Sequence, residues 1–376
     1  MQTAMSLPSL RCATSRRQRN ITPSMPQRHQ RALALVVALS SSACHHDGNT
    51  STGTQSSTPF SNVPAPTGGT AQFTVLPVAP VAGLTLTALG NLNPPGHVLP
   101  TDHVYFYAWD LSGSPGPANT STRAVVMPAT GAVTFMLQPT GTDWKVEFKS
   151  TENFYFYLDH VLLTKSLKVG DVLQAGTPIG TTNPGGTLDL GAFDITVSHT
   201  GFVNPARYGF ETLHVVSPWK YFAPALQPQL YAQVYRAPTA ADKDGRVDFG
   251  VAGHLVGDWY LMGMPVDSSP GPYGWTRTVA FVYDYYDPSR VRISIGGTVA
   301  SPGVWAIDPA APRPENVTTA SGVVSYLLYS PFDSGFPPTG LMLVQMVTDS
   351  QIKVEVFPGT TTTGRQFDAN AFTFVR

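Results

Sequence analysis

The chain is poor in cysteine, in charge and in long apolar runs, and each shortage excludes something. Only Cys12 and Cys44 occur in 376 residues, so a disulfide-stapled scaffold is ruled out and stability must come from a buried core. Charged residues make up 12%, and 23 Lys and Arg against 24 Asp and Glu leave a net charge of -1. No basic footprint exists for a nucleic-acid partner. Low charge together with 34 Gly and 34 Pro argues against long surface helices and for short strands joined by turns. The length is enough for two domains with ample core.

The N-terminus reads as an export signal over residues 1–43. Arg11, Arg16, Arg17, Arg19, Arg28 and Arg31 precede the first acid, Asp47, and Ala32 to Leu39 is an apolar run too short to span a bilayer. Met25 is an alternative start, which would leave a compact charged region before that run. Ser41-Ser42-Ala43-Cys44 resembles a bacterial lipobox, with Ser41 in the place of the usual Leu. On that reading Cys44 is the lipidated first residue of the mature protein and anchors it to a membrane; ordinary cleavage near Ala43 is the alternative. His45 rather than Asp follows Cys44, which by analogy with Gram-negative lipoproteins points to the outer membrane. Residues 44–70, rich in Ser, Thr, Gly and Pro, form a flexible tether.

From Ala71 the pattern is that of strands. Phe154 to Leu163 is an unbroken aromatic and aliphatic run ending at polar Thr164, and reads as a strand. Val169-Gly170-Asp171 is a tight turn because Gly supplies positive φ. Short strands follow at Val172-Leu173 and Pro178-Ile179-Gly180, and others are expected at Val104 to Trp109, Val125 to Met127, Val133 to Leu137 and Trp144 to Phe148. Strands so short and closely spaced make a small, strongly curved β structure.

Lys168 to Thr182, KVGDVLQAGTPIGTT, resembles the hairpin of the lysostaphin/LytM-type zinc endopeptidases, which cut peptidoglycan cross-links. It also resembles the hairpin of biotinyl and lipoyl carrier domains, but the Met-Lys attachment turn of those carriers is missing. The resemblance covers about residues 72–197 and implies a LytM-like β domain (the barrel-sandwich hybrid, or duplicated hybrid, motif) at 71–200. It further implies a zinc site with a His and an Asp from an early motif and one His of a late His-x-His, the other His being catalytic.

His97 and Asp102 match the early pair, separated by four residues where the family has three, and His103 is a possible substitute. His160, nine residues before Val169, matches the His that precedes the hairpin and would polarise substrate or carry a proton. The late motif departs from the family: Leu188 to Ile195 offers Asp189 and Gly191 in place of its two histidines. His97, Asp102 or His103, and Asp189 could supply the three ligands a catalytic zinc needs. For His97 and His103 the plain alternative is hydrogen bonding at a turn.

Residues 201–229 are rich in Pro and aromatics and read as a connector; His214 there either approaches the site or is structural. Residues 230–376 show six to eight antiparallel strands at regular turn spacing, the signature of a barrel or sandwich. They include a strand on each side of Gly253, a hairpin around Asp287-Pro288-Ser289, and strands at Val323 to Leu328, Leu341 to Val347, Ile352 to Phe357 and Phe372 to Val375. Asp242, Asp244 and Asp248 lack the rest of a calcium loop and read as a hairpin turn. Tyr283 to Tyr286 and Trp275 offer either a sugar-stacking face or cross-strand pairs.

The sequence thus describes an all-β, exported envelope protein expected to bind or scaffold peptidoglycan, or another envelope component, without cutting it. Two alternatives stay open. One is an active zinc hydrolase with His160 as the proton-handling group; the other is a ligand-binding β barrel for which the first domain is a spacer.

Overall fold

The structure, a computed structural model, describes residues 62–79, 85–107, 122–184, 187–266, 275–329 and 337–376. The export segment, Cys44, the tether up to residue 61 and the end of the strand expected at Val104 to Trp109 lie outside them.

The protein is almost entirely β. The first sheet has nine strands: β1 (Thr85–Leu86), β2 (His103–Tyr107), β3 (Ala124–Val126), β4 (Gly131–Thr140), β5 (Asp143–Lys149), β6 (Phe154–Leu163), β7 (Val172–Leu173), β8 (Pro178–Thr182) and β9 (Leu188–Asp194). They pair antiparallel in the order β1-β2-β9-β6-β5-β4-β7, while β8 joins β6 to β3. Gly170 takes φ +94° in the expected turn before β7.

Alternation sets the two faces of the central strands. Phe154, Phe156 and Leu158 of β6, Leu188, Leu190 and Ala192 of β9, and Val104 and Phe106 of β2 enter one core. Each of these side chains except the small Ala192 contributes roughly 1.5–3 kcal/mol on burial. The opposite face carries Tyr155, Tyr157 and Asp159, then Asp189 and Gly191, then His103 and Tyr105. In β6 the next core residue after Leu158 is Val161, because Asp159 and His160 together oppose Lys145 in a β-bulge. His160 takes φ +66° there, a conformation uncommon for a residue with a Cβ.

The segment expected to be a connector is firmly packed. Trp219 and Phe222 are buried in the first core, Trp219 Nε1 donates to the Thr87 carbonyl at 3.0 Å, and helices α1 (Phe210–Leu213) and α2 (Gln227–Gln233) are its regular pieces besides short 3-10 turns.

The second sheet has eight strands: β10 (Gly257–Leu261), β11 (Thr278–Tyr283), β12 (Val291–Ile295), β13 (Gly303–Ala306), β14 (Val323–Leu328), β15 (Gly340–Thr348), β16 (Gln351–Pro358) and β17 (Phe372–Val375). β10 to β13 pair in succession, as do β14 to β17, β17 pairs with β10, and reciprocal bonds between Ala306 and Tyr329, just past β14, bring the two ends of the sheet together. The result is a nearly closed up-and-down barrel, which resolves the barrel-or-sandwich alternative. Alternate residues such as Trp259, Phe281, Ile293, Tyr326, Met342 and Phe374 fill its interior, and the Arg376 guanidinium lies 4.3 Å over the Trp259 ring. The strand expected before Gly253 does not form. Its backbone instead presses on the connector: a Cβ on Gly250 would lie 2.5 Å from the Gly201 carbonyl oxygen, an approach that leaves no room for a ladder partner on that side.

Candidate functional site

The non-core face of β2, β9 and β6 assembles the polar residues picked out by the motif. Register places His103, Gly191 and Tyr157 in one row, and Tyr105, Asp189 and Asp159 in the next. The bulge in β6 adds His160 to the same face.

His103 sits at the centre. Its Nδ1 is 3.1 Å from Asp102 Oδ1, and its Nε2 is 2.9 Å from the Tyr105 hydroxyl and 3.4 Å from Asp189 Oδ2. Burial alone would lower its pKa; the carboxylates of Asp102 and Asp189 outweigh burial and raise it. Asp102 receives further hydrogen bonds from the Tyr157 hydroxyl, at 3.3 Å, and from the Thr212 hydroxyl of α1. Burial opposes its ionisation, yet His103 and Thr212 hold its pKa below the usual carboxylate range. The His97 ring lies 5.2 Å from that of His103 and 5.2 Å from that of Trp275. Burial, reinforced by His103, pushes the His97 pKa down to about 3, so its imidazole is neutral.

His160 is turned by its Nδ1, 2.8 Å from Asp143 Oδ2, so that its Nε2 is 3.6 Å from Asp189 Oδ2. Burial raises the Asp189 pKa to about 6, against the pull of His160 and His103. All five motif residues therefore meet in one cluster.

Several neighbours that complete the cluster were not singled out in the sequence. The most consequential is Tyr157. Its hydroxyl lies 3.0 Å from His103 Nδ1, its ring is held from one side by Lys145 Nζ, 3.9 Å from the centroid, and the ring stands where a side chain on residue 191 would go. A Cβ on Gly191 would meet Tyr157 Cε1 at 2.1 Å. Lys145 is itself paired with Glu211 at 2.8 Å and Glu147 at 3.5 Å. Alternation from Asp159 could have found Tyr157; nothing local could have found Thr212, which is 110 residues from Asp102.

These contacts occupy much of what the resembled family's zinc would need. Asp102 has both oxygens engaged, His103 both ring nitrogens, and position 191 is closed by Tyr157. Among the described residues, the His and carboxylate group whose donor atoms all lie within 4.8 Å of one another is Asp143, Asp159 and His160. His214 is occupied elsewhere, its Nδ1 being 2.6 Å from the Val197 carbonyl. Asp242 caps its own turn, accepting from the backbone N–H of Asp244 and of Gly245. Tyr283 lies under the Arg313 guanidinium and Tyr286 stacks on Tyr235.

No protein-family model matches the chain, and no curated protein matches it significantly. Helicobacter pylori Csd3 is similar over 33% of this chain and 32% of its own, at 18% identity and a TM-score of 0.25. A zinc-containing peptidase from Vibrio cholerae is similar over 33% of this chain and 37% of its own, at 15% identity and a TM-score of 0.24. The antimicrobial peptidase lysostaphin from Staphylococcus simulans is similar over 60% of this chain and 82% of its own, at 13% identity and a TM-score of 0.24. The chain spans about a third of the length of the first two.

Proposed function

We propose that this is an exported envelope protein, anchored to the outer membrane through Cys44, whose first β lobe binds or scaffolds peptidoglycan without cutting it. One observation supports the non-catalytic reading above all. The second His of the family's late motif is replaced by Gly191, and Tyr157 fills the vacated space while tying up His103 and Asp102. Side chains that hydrogen-bond one another this fully are poorly placed to activate a substrate, yet they make a rigid polar floor.

The test is sedimentation of the full chain with purified, dye-labelled sacculi in buffer without added metal, followed by dye release in zinc-supplemented buffer. Binding without release is expected. Release that disappears in His160→Ala would establish the hydrolase alternative, and failure to sediment would end the wall-binding reading.

A ligand-binding reading also has an observation behind it. The barrel interior is filled, but a cavity of about 380 Å³ lies at the seam between Leu89 of the first lobe and Arg246, Phe249, Tyr283 and Arg313 of the second. Continued wall binding by an Arg246→Ala, Arg313→Ala double variant would separate that cavity from the wall.

A further inference from the structure

The cavity of about 380 Å³ at the seam between the lobes falls at the lower end of the size range of small-molecule sites, about 300–1,000 Å³. We infer that it takes a neutral pyranose sugar, an assignment that rests on the ligand-binding reading of that cavity and names its ligand.

The walls are fixed in place. The Leu89 N–H donates to the Asp244 carbonyl at 2.9 Å, and a Cβ on Gly245 would collide with the Leu89 carbonyl oxygen, so the lobes meet there without slack. The buried Arg236 donates through Nε to the Asp242 carbonyl and through Nη1 to the Tyr285 carbonyl. Arg246 donates through Nε to Asp248 Oδ1 at 3.0 Å and through Nη2 to the Asp248 carbonyl at 2.8 Å, which sets its guanidinium 5.5 Å from the centre of the Phe249 ring. A ligand therefore has little side-chain ordering to offset.

Charge decides against an ion. The guanidiniums of Arg236, Arg246 and Arg313 in the lining are matched by the carboxylates of Asp242, Asp284 and Glu315. A charged ligand of either sign meets its own sign there, with no net field to offset its desolvation. Hydroxyl groups both donate and accept, and the rim offers both roles. Arg246 Nη1 takes no part in the two bonds that hold its residue. Asp242 Oδ2 has only a 3.4 Å contact with Arg236, while its Oδ1 is pinned by the backbone N–H of Asp244 and of Gly245. Both residues are exposed.

The remaining lining is apolar. Phe249 and Tyr283, with ring centres 5.5 Å apart, and Val251, 45% exposed, give a surface for the C–H face of a sugar ring. An extended peptide is the poorer match. Strand β11, which ends at Tyr283, is paired on both sides, by β10 and β12, and leaves no ladder for a peptide main chain to join.

The test is a ligand-observed NMR titration of the full chain with four sugars of one size: neutral glucose and N-acetylglucosamine, cationic glucosamine and anionic glucuronic acid. Saturable binding of at least one neutral sugar is expected, about tenfold tighter than either charged one and about tenfold weaker in Phe249→Ala and in Arg246→Ala. Folding of each variant is checked by circular dichroism. Should Phe249→Ala fail to fold, Val251→Asp at the exposed rim takes its place and should weaken binding likewise. Preference for N-acetylglucosamine would support an N-acetylated glycan as the source; equal binding of both neutral sugars would support saccharides in general. The proposal is overturned if neither neutral sugar saturates, if a charged sugar binds more tightly, or if the variants bind as the wild type does. Loss of wall sedimentation in the Arg246→Ala, Arg313→Ala variant without any sugar binding would keep the cavity as a binding site and remove only the saccharide assignment.

Discussion

Replacing Gly191 with alanine should destabilise the first lobe, and the loss should depend on Tyr157. The added Cβ would lie 2.1 Å from Tyr157 Cε1 and 2.2 Å from its Cζ, well inside contact distance. The ring cannot easily yield, because its hydroxyl is bound to His103 and Asp102 and Lys145 sits over its face. Overpacking of this kind costs about 1–3 kcal/mol. Tyr157→Ala alone should cost about 3–5 kcal/mol, as for a large buried aromatic. With the ring gone, Gly191→Ala should be nearly free, since Ala is favoured over Gly in a strand by roughly 0.5–1 kcal/mol. Urea unfolding of the four proteins would therefore give a coupling energy of about 1–3 kcal/mol. An equal cost of Gly191→Ala in both backgrounds, or no cost in the wild type, would refute the claim that Tyr157 closes the space left over residue 191.

Two further predictions concern buried charge. Burial raises the Asp258 pKa from 3.8 to about 7, against the hydrogen bond from Tyr208 and the charge of Arg376. A raised carboxylate favours the fold while it is protonated, so its contribution is intact below about pH 4 and lost as pH rises through about 7, on the order of 4 kcal/mol in all. The stability difference between Asp258→Asn and the wild type should shift in the variant's favour between pH 4.5 and pH 8, and a difference equal at both would sink the assignment. Lys145→Met should cost up to about 3–5 kcal/mol at neutral pH, because it strands the Glu211 carboxylate beside Glu147, whose own carboxyl burial and Glu211 already push well above the usual range. An unchanged urea midpoint would show that those carboxylates do not depend on Lys145.

Local pattern made much of the fold legible. Strands β6, β14 and β17 follow directly from their apolar runs, and Gly170 from the turn it makes. The missing strand before Gly253 was illegible because alternation alone cannot report that the backbones of Gly250 and Gly201 touch. The barrel was left open against a sandwich for a related reason: closure rests on the single pairing of Ala306 with Tyr329, which no strand signals locally.

The candidate site divides in the same way. The sequence by itself determined which chemistry is present: three histidines, His97, His103 and His160, two aspartates, Asp102 and Asp189, and a glycine at 191 where the resembled family has the second His of its late motif. The tertiary structure decided what those groups face. The bulge at Asp159-His160 swings His160 toward Asp189 and Asp143, Thr212 arrives from a helix far along the chain, and Tyr157 fills the space over Gly191. Each of these depends on register between strands or on packing across long loops, and a residue's own neighbours in sequence carry no record of either.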